Sequence, residues 1–245
     1  MSASRPIRLF ALSFLLFTVL SNSIAWAGDY ASRHVIGFSP DGRYFAFEQY
    51  GVQDGSGFPY AEIFIIDTQA DSWVAGSPIR IRLDEESPHA EKAHNAARRA
   101  ASPLLDKLAI SEPGEHLASN PRAELSADPA RVVVNAAHRF TPPAREPISF
   151  ALTEKTLESA TCAAYSEKPM KGFRLTMTRE AAKPAILHDD QRLPESRGCA
   201  LGYAIADIFS HESGGKTTYA VLLHVQTVGF EGPDSRFLAV TQRLP

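Results

Sequence analysis

The feature that most constrains the fold is a group of four turn residues between two strand-like stretches. Residues 39–42 (Ser-Pro-Asp-Gly) separate His34–Phe38 from Arg43–Tyr50. Proline presets φ, the aspartate side chain bonds back to the backbone, and glycine accepts a positive φ, so this group predicts a tight turn. In the second stretch Phe45 and Phe47 lie two positions apart, which is the period of a strand. The sequence therefore predicts a β-hairpin near the N-terminus.

Similar strand-like stretches recur in both halves of the chain. Two follow the hairpin, at Glu62–Asp67 and at residues 79–83, where apolar and charged residues alternate. Residues 213–216 (Ser-Gly-Gly-Lys) indicate a second hairpin turn. The remaining predicted strands lie at residues 131–136, 148–153, 172–178, 201–210, 217–228 and 236–244.

One segment has the period of a helix. Alanine and leucine recur at helical spacing over residues 87–110, after the N-cap and first-turn pair Ser87-Pro88. Pro103 predicts a kink or a second start, with Ser102 as its cap. The expected fold class is therefore mainly β (α+β), with antiparallel hairpins in two lobes and one helical segment between them.

Composition suggests where the lobes meet. Residues 28–110 form the predicted N-terminal β-meander and helix, and residues 131–245 form the predicted C-terminal β lobe. Residues 111–130, rich in Pro, Ser, Gly, Asn and charge, predict a loop or linker. Residues 37–49 and 229–242 share seven identities when one residue is inserted in the second turn. Either hairpins share turn chemistry, or a related hairpin stands in each lobe.

The first 27 residues have the pattern of a secretory signal. Arg5 and Arg8 precede the apolar run Leu9–Leu20, polar residues follow, and Ala25-Trp26-Ala27 matches the small-x-small pattern that a signal peptidase cleaves. Because the apolar run is short for a membrane span, cleavage after Ala27 is the prediction and an uncleaved anchor is the alternative. The mature chain is expected to be periplasmic or secreted, with no membrane span.

The two cysteines, Cys162 and Cys199, both lie in the predicted mature chain. In an exported protein such a pair most simply predicts one disulfide. The alternatives are two inert thiols, or a reactive cysteine, which would need a neighbouring base that the sequence does not indicate.

Charge argues against nucleic acid as a partner. The chain has a formal net charge of −3 at pH 7 and no basic tract, whereas nucleic-acid binding needs clustered lysine and arginine. Its histidines do not point to a metal site, since His89 and His94 lack the i, i+4 spacing of a helical zinc pair. The cluster at residues 188–190 (His-Asp-Asp) has no second cluster to complete it. The sequence therefore predicts no metal and no cofactor.

Catalytic motifs are hard to find in this sequence. Residues 37–42 superficially resemble a nucleophile elbow around Ser39, but Pro40 lacks the backbone N–H that an oxyanion hole needs. The acidic pairs Asp189-Asp190 and Glu231 with Asp234 are interpreted as solvated loop acids rather than as an acid–base pair.

Two known families share parts of this sequence. Residues 38–47, followed by residues 63–67, resemble the WD40-like repeat of exported β-propellers, but they cover about one blade, so a full propeller is disfavoured. The start at residues 28–33, the stretch 37–67 and the ending 229–241 resemble a family of predicted secreted proteins of unknown function (domain of unknown function 2259). This resemblance implies export and no particular reaction.

Two loops are the candidate binding site. Residues 54–60 combine small flexible positions with aromatics, and residues 231–236 place charges beside Phe230. Such loops on a rigid sheet suit a ligand or protein partner, although they can equally be ordinary connections whose aromatics close the core. The sequence favours a non-enzymatic module that binds an envelope protein or a surface polymer; the alternatives are a secreted hydrolase with scattered catalytic residues and a purely structural role. The candidate residues are Asp54, Phe58, Tyr60, Glu231, Asp234 and Arg236.

Overall fold

The computed structural model describes residues 28–135, 146–179 and 183–244, so the predicted signal at residues 1–27 lies outside the described part. The helices are α1 (Glu91–Lys107) and α2 (Ala160–Ala163), with a 3-10 turn at Glu195–Arg197. The strands are β1 (Ser32–Phe38), β2 (Tyr44–Val52), β3 (Pro59–Asp67), β4 (Ser72–Trp73), β5 (Ile79–Arg82), β6 (Glu115–Ser119), β7 (Arg131–Val134), β8 (Ile148–Leu157), β9 (Met170–Arg179), β10 (Ala185–Asp189), β11 (Ala200–Ser213), β12 (Lys216–Thr227) and β13 (Asp234–Leu244).

These strands form three antiparallel sheets. The N-terminal sheet has the order β1-β2-β3, with β4 and β5 both pairing with β3. The central sheet has the order β13-β12-β11-β6, and the outer sheet has the order β10-β9-β8-β7. Because β12 alternates between two buried faces, Leu222 packs on the N-terminal sheet and Val221 packs on the outer sheet. The central sheet therefore lies between the other two.

Helix α1 covers the far face of the N-terminal sheet. Ala93, Ala97 and Ala101 are fully buried and recur at four-residue intervals, so one stripe of small side chains faces the sheet. They pack in one cluster with residues of β2 and β3 such as Ala46 and Ile63. The molecule is thus built from a helix and three sheets, with a core between each pair of neighbouring layers.

The N-terminal hairpin has the predicted turn. The Ser39 hydroxyl donates to Asp41 Oδ1 at 2.6 Å and accepts the Tyr44 N–H at 2.9 Å. Gly42 adopts a φ of 71°, which explains why glycine follows the aspartate. Ser39 is therefore a turn residue, and β1 and β2 pair antiparallel on either side of it.

The predicted fold class, mainly β with antiparallel hairpins and one main helix, is confirmed. In the part of the chain that the structure describes, the sheets stack as layers and do not form a propeller. Residues 37–49 and 229–242 approach each other, since Gln49 Oε1 accepts the Phe237 N–H at 2.7 Å. Their origin as a true repeat stays a prediction, as does the division into domains.

Two details of the sequence analysis were wrong. The segment 111–130, predicted to be a loop or linker, contains the strand β6, which pairs with β11, and the strand β10 lies where no strand was predicted. Both strands are short edge strands that form because a longer strand offers them a partner. Pro103 does not restart the helix, because α1 continues through it to Lys107. Residue 136, the end of one predicted strand, lies outside the described residues.

The predicted disulfide is present. Cys162 on α2 is bonded to Cys199, which directly precedes β11, across a sequence separation of 37 residues. The bond ties the connection between β8 and β9 to the start of the central sheet. Among the described residues, none of the helices has both the length and the apolar character needed to cross a bilayer.

Candidate functional site

The two candidate loops meet at one end of the molecule. The Asp54 carboxylate accepts the Glu231 backbone N–H at 3.3 Å, although the two residues are 177 positions apart. Gly55 lies against the ring of Phe230, and that ring is 78% exposed. The structure therefore places Asp54 and Glu231, two of the candidate residues, side by side.

Three further candidates surround Asp29, which the sequence analysis did not single out. Tyr60 Oη donates to Asp29 Oδ1 at 3.0 Å, and the Arg236 guanidinium donates to Asp29 Oδ2 at 2.6 Å. The Asp29 N–H in turn donates to Asp234 Oδ1 at 3.1 Å. Burial raises the pKa of the Asp29 carboxyl, and the nearby Arg236 and Tyr60 partly offset this effect. Burial also raises the pKa of the Tyr60 hydroxyl.

This buried cluster has a structural effect. The Arg236 guanidinium lies 4.6 Å from the Tyr60 ring centroid, so it combines a cation–π contact with its ion pair. Together these contacts hold the first described residues of the chain against β13. Phe58 lies apart from the cluster, with the Arg82 guanidinium 5.8 Å from its ring centroid. A ligand-binding role for the six candidates stays a prediction.

A groove of about 830 Å³ lies between the N-terminal sheet, the edge of β13 and the segment 194–199. Its apolar lining includes Phe47 and Phe64 of the N-terminal sheet. Two exposed aromatics also line it, Trp73 at 43% and Tyr165 at 72% exposure. Apolar walls with exposed aromatic rings are typical of a site that buries a ligand.

Three arginines, each paired with a carboxylate, face this groove: Arg80, Arg197 and Arg236. Arg80 Nε donates to Glu62 Oε1 at 2.7 Å, and its guanidinium lies 5.6 Å from the Trp73 ring centroid. Of the three, Arg80 is the most exposed, with half of its side-chain surface accessible. Arg236 belongs to both the Asp29 cluster and the groove, so the candidate loops and the groove are contiguous.

One groove wall carries a histidine between two carboxylates. His188 Nε2 lies 2.8 Å from Asp190 Oδ1, and His188 Nδ1 lies 4.0 Å from Asp71 Oδ2. The imidazole stacks on Phe173 at a centroid distance of 4.7 Å. Asp71 accepts two hydrogen bonds from Thr241, at 2.7 and 2.9 Å, while burial raises the pKa of its carboxyl. This wall therefore places one imidazole between two carboxylates.

The interpretation of Asp189 and Asp190 as solvated loop acids was wrong. Asp190 is 5% exposed, accepts the Phe173 N–H at 2.9 Å and pairs with Arg197. Although burial opposes ionisation, these donors and His188 hold the pKa of Asp190 below its usual value. The Arg174 guanidinium and the Lys155 ammonium likewise lower the pKa of Asp189. Both acids are fixed in ion pairs: Asp189 pairs with Arg174 of β9 and Lys155 of β8, and Asp190 pairs with Arg197 of the 3-10 turn.

Sequence reasoning missed the groove because its walls come from distant segments. The sequence shows the aromatic residue Trp73 and the basic residue Arg80 individually, but nothing in the local pattern predicts that they lie opposite β13. Among the described residues, no three of the side chains from histidine, cysteine, aspartate and glutamate are arranged to hold a metal ion.

The fold and the groove together define a layered, mainly antiparallel β protein with an open cleft beside an edge strand. A family model described as "Predicted secreted protein (DUF2259)" matches residues 46–243 of this chain. The match covers most of the sequence, so the chain belongs to this family of predicted secreted proteins, as the sequence analysis expected. No curated protein and no solved structure matches the chain significantly.

Proposed function

We propose that this protein is an exported, non-enzymatic binding protein that holds part of another envelope protein or of a surface polymer in the groove. The observation that carries the proposal is the composition of the groove, whose lining includes the exposed rings of Trp73 and Tyr165 and the half-exposed side chain of Arg80. Aromatic rings and arginine are the side chains that most often anchor a partner.

The proposed function requires that the protein is exported. The leader at residues 1–27 is proposed to be cleaved after Ala27, which places the mature chain in the periplasm or outside the cell. The disulfide between Cys162 and Cys199 suits an oxidising compartment. A partner in the cell envelope meets the protein in that compartment.

The candidate loops are proposed to extend the binding surface. Arg236 joins the Asp29 cluster to the groove, and Glu231, which contacts Asp54, lies three positions before Asp234 of that cluster. Phe58 and Phe230 add apolar surface at the same end. A partner that fills the groove would therefore reach these loops as well.

The wall formed by Asp71, His188 and Asp190 favours a second candidate, a secreted hydrolase. An imidazole held by one carboxylate and faced by another can act as a general acid or base. The test is turnover of a panel of ester, peptide and glycoside substrates by the wild-type protein and by His188→Gln. Turnover that disappears in this variant would establish the hydrolase and replace the binding proposal.

Native mass spectrometry of the protein released gently from its own cell envelope tests the binding proposal. We expect a bound partner on the wild-type chain, and at least about tenfold less of it on Trp73→Ala and Arg80→Gln, because buried anchors contribute more than about 1.4 kcal/mol each. Arg99→Gln is the matched control, since Arg99 is an exposed arginine on α1, far from the groove. A bare wild-type chain, or a partner that stays on both groove variants, would contradict the proposal.

A further inference from the structure

The edge strand β13 is paired on one side and open on the other. Along its whole length it pairs with β12, from Asp234 opposite Thr227 to Leu244 opposite Thr217. On its other edge, the N-terminal segment adds a short parallel pairing at Ser235. The Ser235 N–H donates to the Asp29 carbonyl at 2.7 Å, and the Ala31 N–H donates to the Ser235 carbonyl at 3.1 Å. Beyond this point the N-terminal segment leaves β13.

Side chains, not a strand, then occupy the edge. The Phe237 N–H donates to Gln49 Oε1 at 2.7 Å, and the Thr241 N–H donates to Asp71 Oδ1 at 2.7 Å. In an antiparallel pair, successive residues alternate in the direction of their backbone groups. Ala239, midway between these two residues, therefore also points its N–H and C=O away from β12. In the described part of the chain, no hydrogen bond reaches these two groups of Ala239.

The groove runs along this open edge. Phe237 and Ala239 face the N-terminal sheet, whereas Leu238 and Val240 face the outer sheet, and all four line the groove. A cavity that touches both faces of one strand must run along the edge of that strand. The lining residues 236–240 of β13 span roughly 16 Å at about 3.3 Å per residue.

From this geometry we propose that the groove binds an extended peptide segment of a partner protein, which adds as a strand to β13. Ala239 makes with the peptide the same two hydrogen bonds that Ser235 makes with Asp29 and Ala31. Adding a strand in this way gives affinity through the main chain, and alternate side chains enter the neighbouring pockets. This inference rests on the proposed function, because it names the kind of ligand that the groove takes.

The lining of the groove indicates which side chains the peptide carries. Arg80, although paired with Glu62, is the most accessible of the three arginines that line the groove, so an acidic residue of the peptide would find a partner there. Phe64 and Trp73 offer an apolar surface to another side chain on the same face of the bound peptide. The structure thus assigns to the ligand about five extended residues that combine an acidic and an apolar side chain.

The capping side chains explain why this edge does not pair indiscriminately. An exposed edge strand is a template for aggregation, and proteins protect such edges with polar or charged side chains. Gln49 and Asp71 cap the edge on either side of Ala239 and leave a short open stretch between them. The opening admits one strand segment and not a whole sheet.

Selection of displayed random seven-residue peptides against the full mature chain tests this inference. We expect enrichment of peptides with an acidic residue and alternating apolar residues. For a selected peptide, Ala239→Pro should weaken binding by about tenfold or more, because it removes the free N–H. The variant should still fold, because an edge strand tolerates proline at a position whose N–H faces away from the sheet. Ala239→Ser keeps the N–H and should bind within about twofold of wild type.

N-methylation of the selected peptide gives a second measurement that does not depend on the folding of a variant. Methylating the amides of one set of alternate residues should abolish binding, and methylating the other set should leave it unchanged. Failure to enrich any peptide, equal binding to Ala239→Pro, or equal effects of both methylation patterns would overturn the peptide inference. The envelope partner retained by wild type and lost from Trp73→Ala would then still support the groove as the binding site.

Discussion

At the scale of single residues, His224 shows most clearly how burial in the core changes the pKa of a side chain. Its side chain is 8% exposed on β12, and its ring lies 4.5 Å from that of Phe237. Among the described residues, no hydrogen-bond partner reaches its buried Nδ1. Burial, together with the nearby Arg33 and Arg122, lowers the pKa of His224 from 6.5 to about 4, and Asp207 opposes this effect. The imidazole is therefore neutral in the folded protein at pH 7.

This lowered pKa predicts a loss of stability in acid. Between pH 6.5 and about 4 the unfolded chain binds a proton at His224 that the folded chain does not, so folding weakens as the pH falls through this window. In wild type the free energy of unfolding should fall between about pH 7 and pH 5. In His224→Leu we expect this fall to be smaller by about 2 kcal/mol. The measurement is urea unfolding at both pH values.

The exposed His89 provides the control for this prediction. His89→Leu should keep the full wild-type loss of stability between the two pH values, because His89 is exposed. An equal loss in wild type and in His224→Leu would show that His224 does not titrate differently on unfolding.

At the scale of elements, α1 is held on the N-terminal sheet by small side chains and by one buried carboxylate. Glu48 is 1% exposed, accepts from Arg98 Nε at 3.0 Å, and lies 2.9 Å from His94 Nε2. The buried alanines of α1 allow this close approach, since a larger side chain would separate the helix from the strands. The four-residue spacing of the buried alanines therefore allows α1 to pack closely on the sheet, in addition to favouring a helix.

Enlarging one of these alanines should destabilise the protein. Ala97→Leu forces three additional carbon atoms into a fully buried site, and we expect the free energy of unfolding to fall by about 1–3 kcal/mol. Ala100→Leu on the exposed face of α1 is the matched control and should change it by less than about 0.5 kcal/mol. Urea unfolding of both variants checks the prediction, and equal values would show that α1 does not pack as described.

At the scale of the whole molecule, the disulfide joins segments that belong to different sheets. Cys162 lies between the outer-sheet strands β8 and β9, and Cys199 leads into β11 of the central sheet and also lines the groove. The bond therefore restrains the groove wall at residues 194–199 as well as the contact between two layers.

Removing this crosslink should lower stability substantially. For the double variant Cys162→Ala/Cys199→Ala, the entropy of closing a loop of 37 residues predicts a loss of about 4 kcal/mol. Urea unfolding with and without a reductant checks this value. The reductant should bring wild type down to the level of the double variant and leave the variant unchanged; a wild type insensitive to full reduction would contradict the prediction.

Local patterns were enough to predict much of this protein. Turn residues 39–42 and 213–216 fix hairpins through φ preferences that act within a few positions, and the four-residue spacing of Ala93, Ala97 and Ala101 predicts a helix by the same local logic. The pairing of Cys162 with Cys199 followed from their number and the expected compartment. The resemblance over residues 28–33, 37–67 and 229–241 identified the family.

The sequence by itself therefore determined the fold class, the hairpins, the helix and the disulfide, because each depends on local periodicity or on a count. Only the tertiary structure decided the stacking of the three sheets, the edge strands β6 and β10, and the meeting of Asp29 with Arg236 across 207 positions. It also decided the groove, whose walls come from three parts of the chain. The physical reason is that burial depends on the total apolar surface removed from water, and not on distance along the chain.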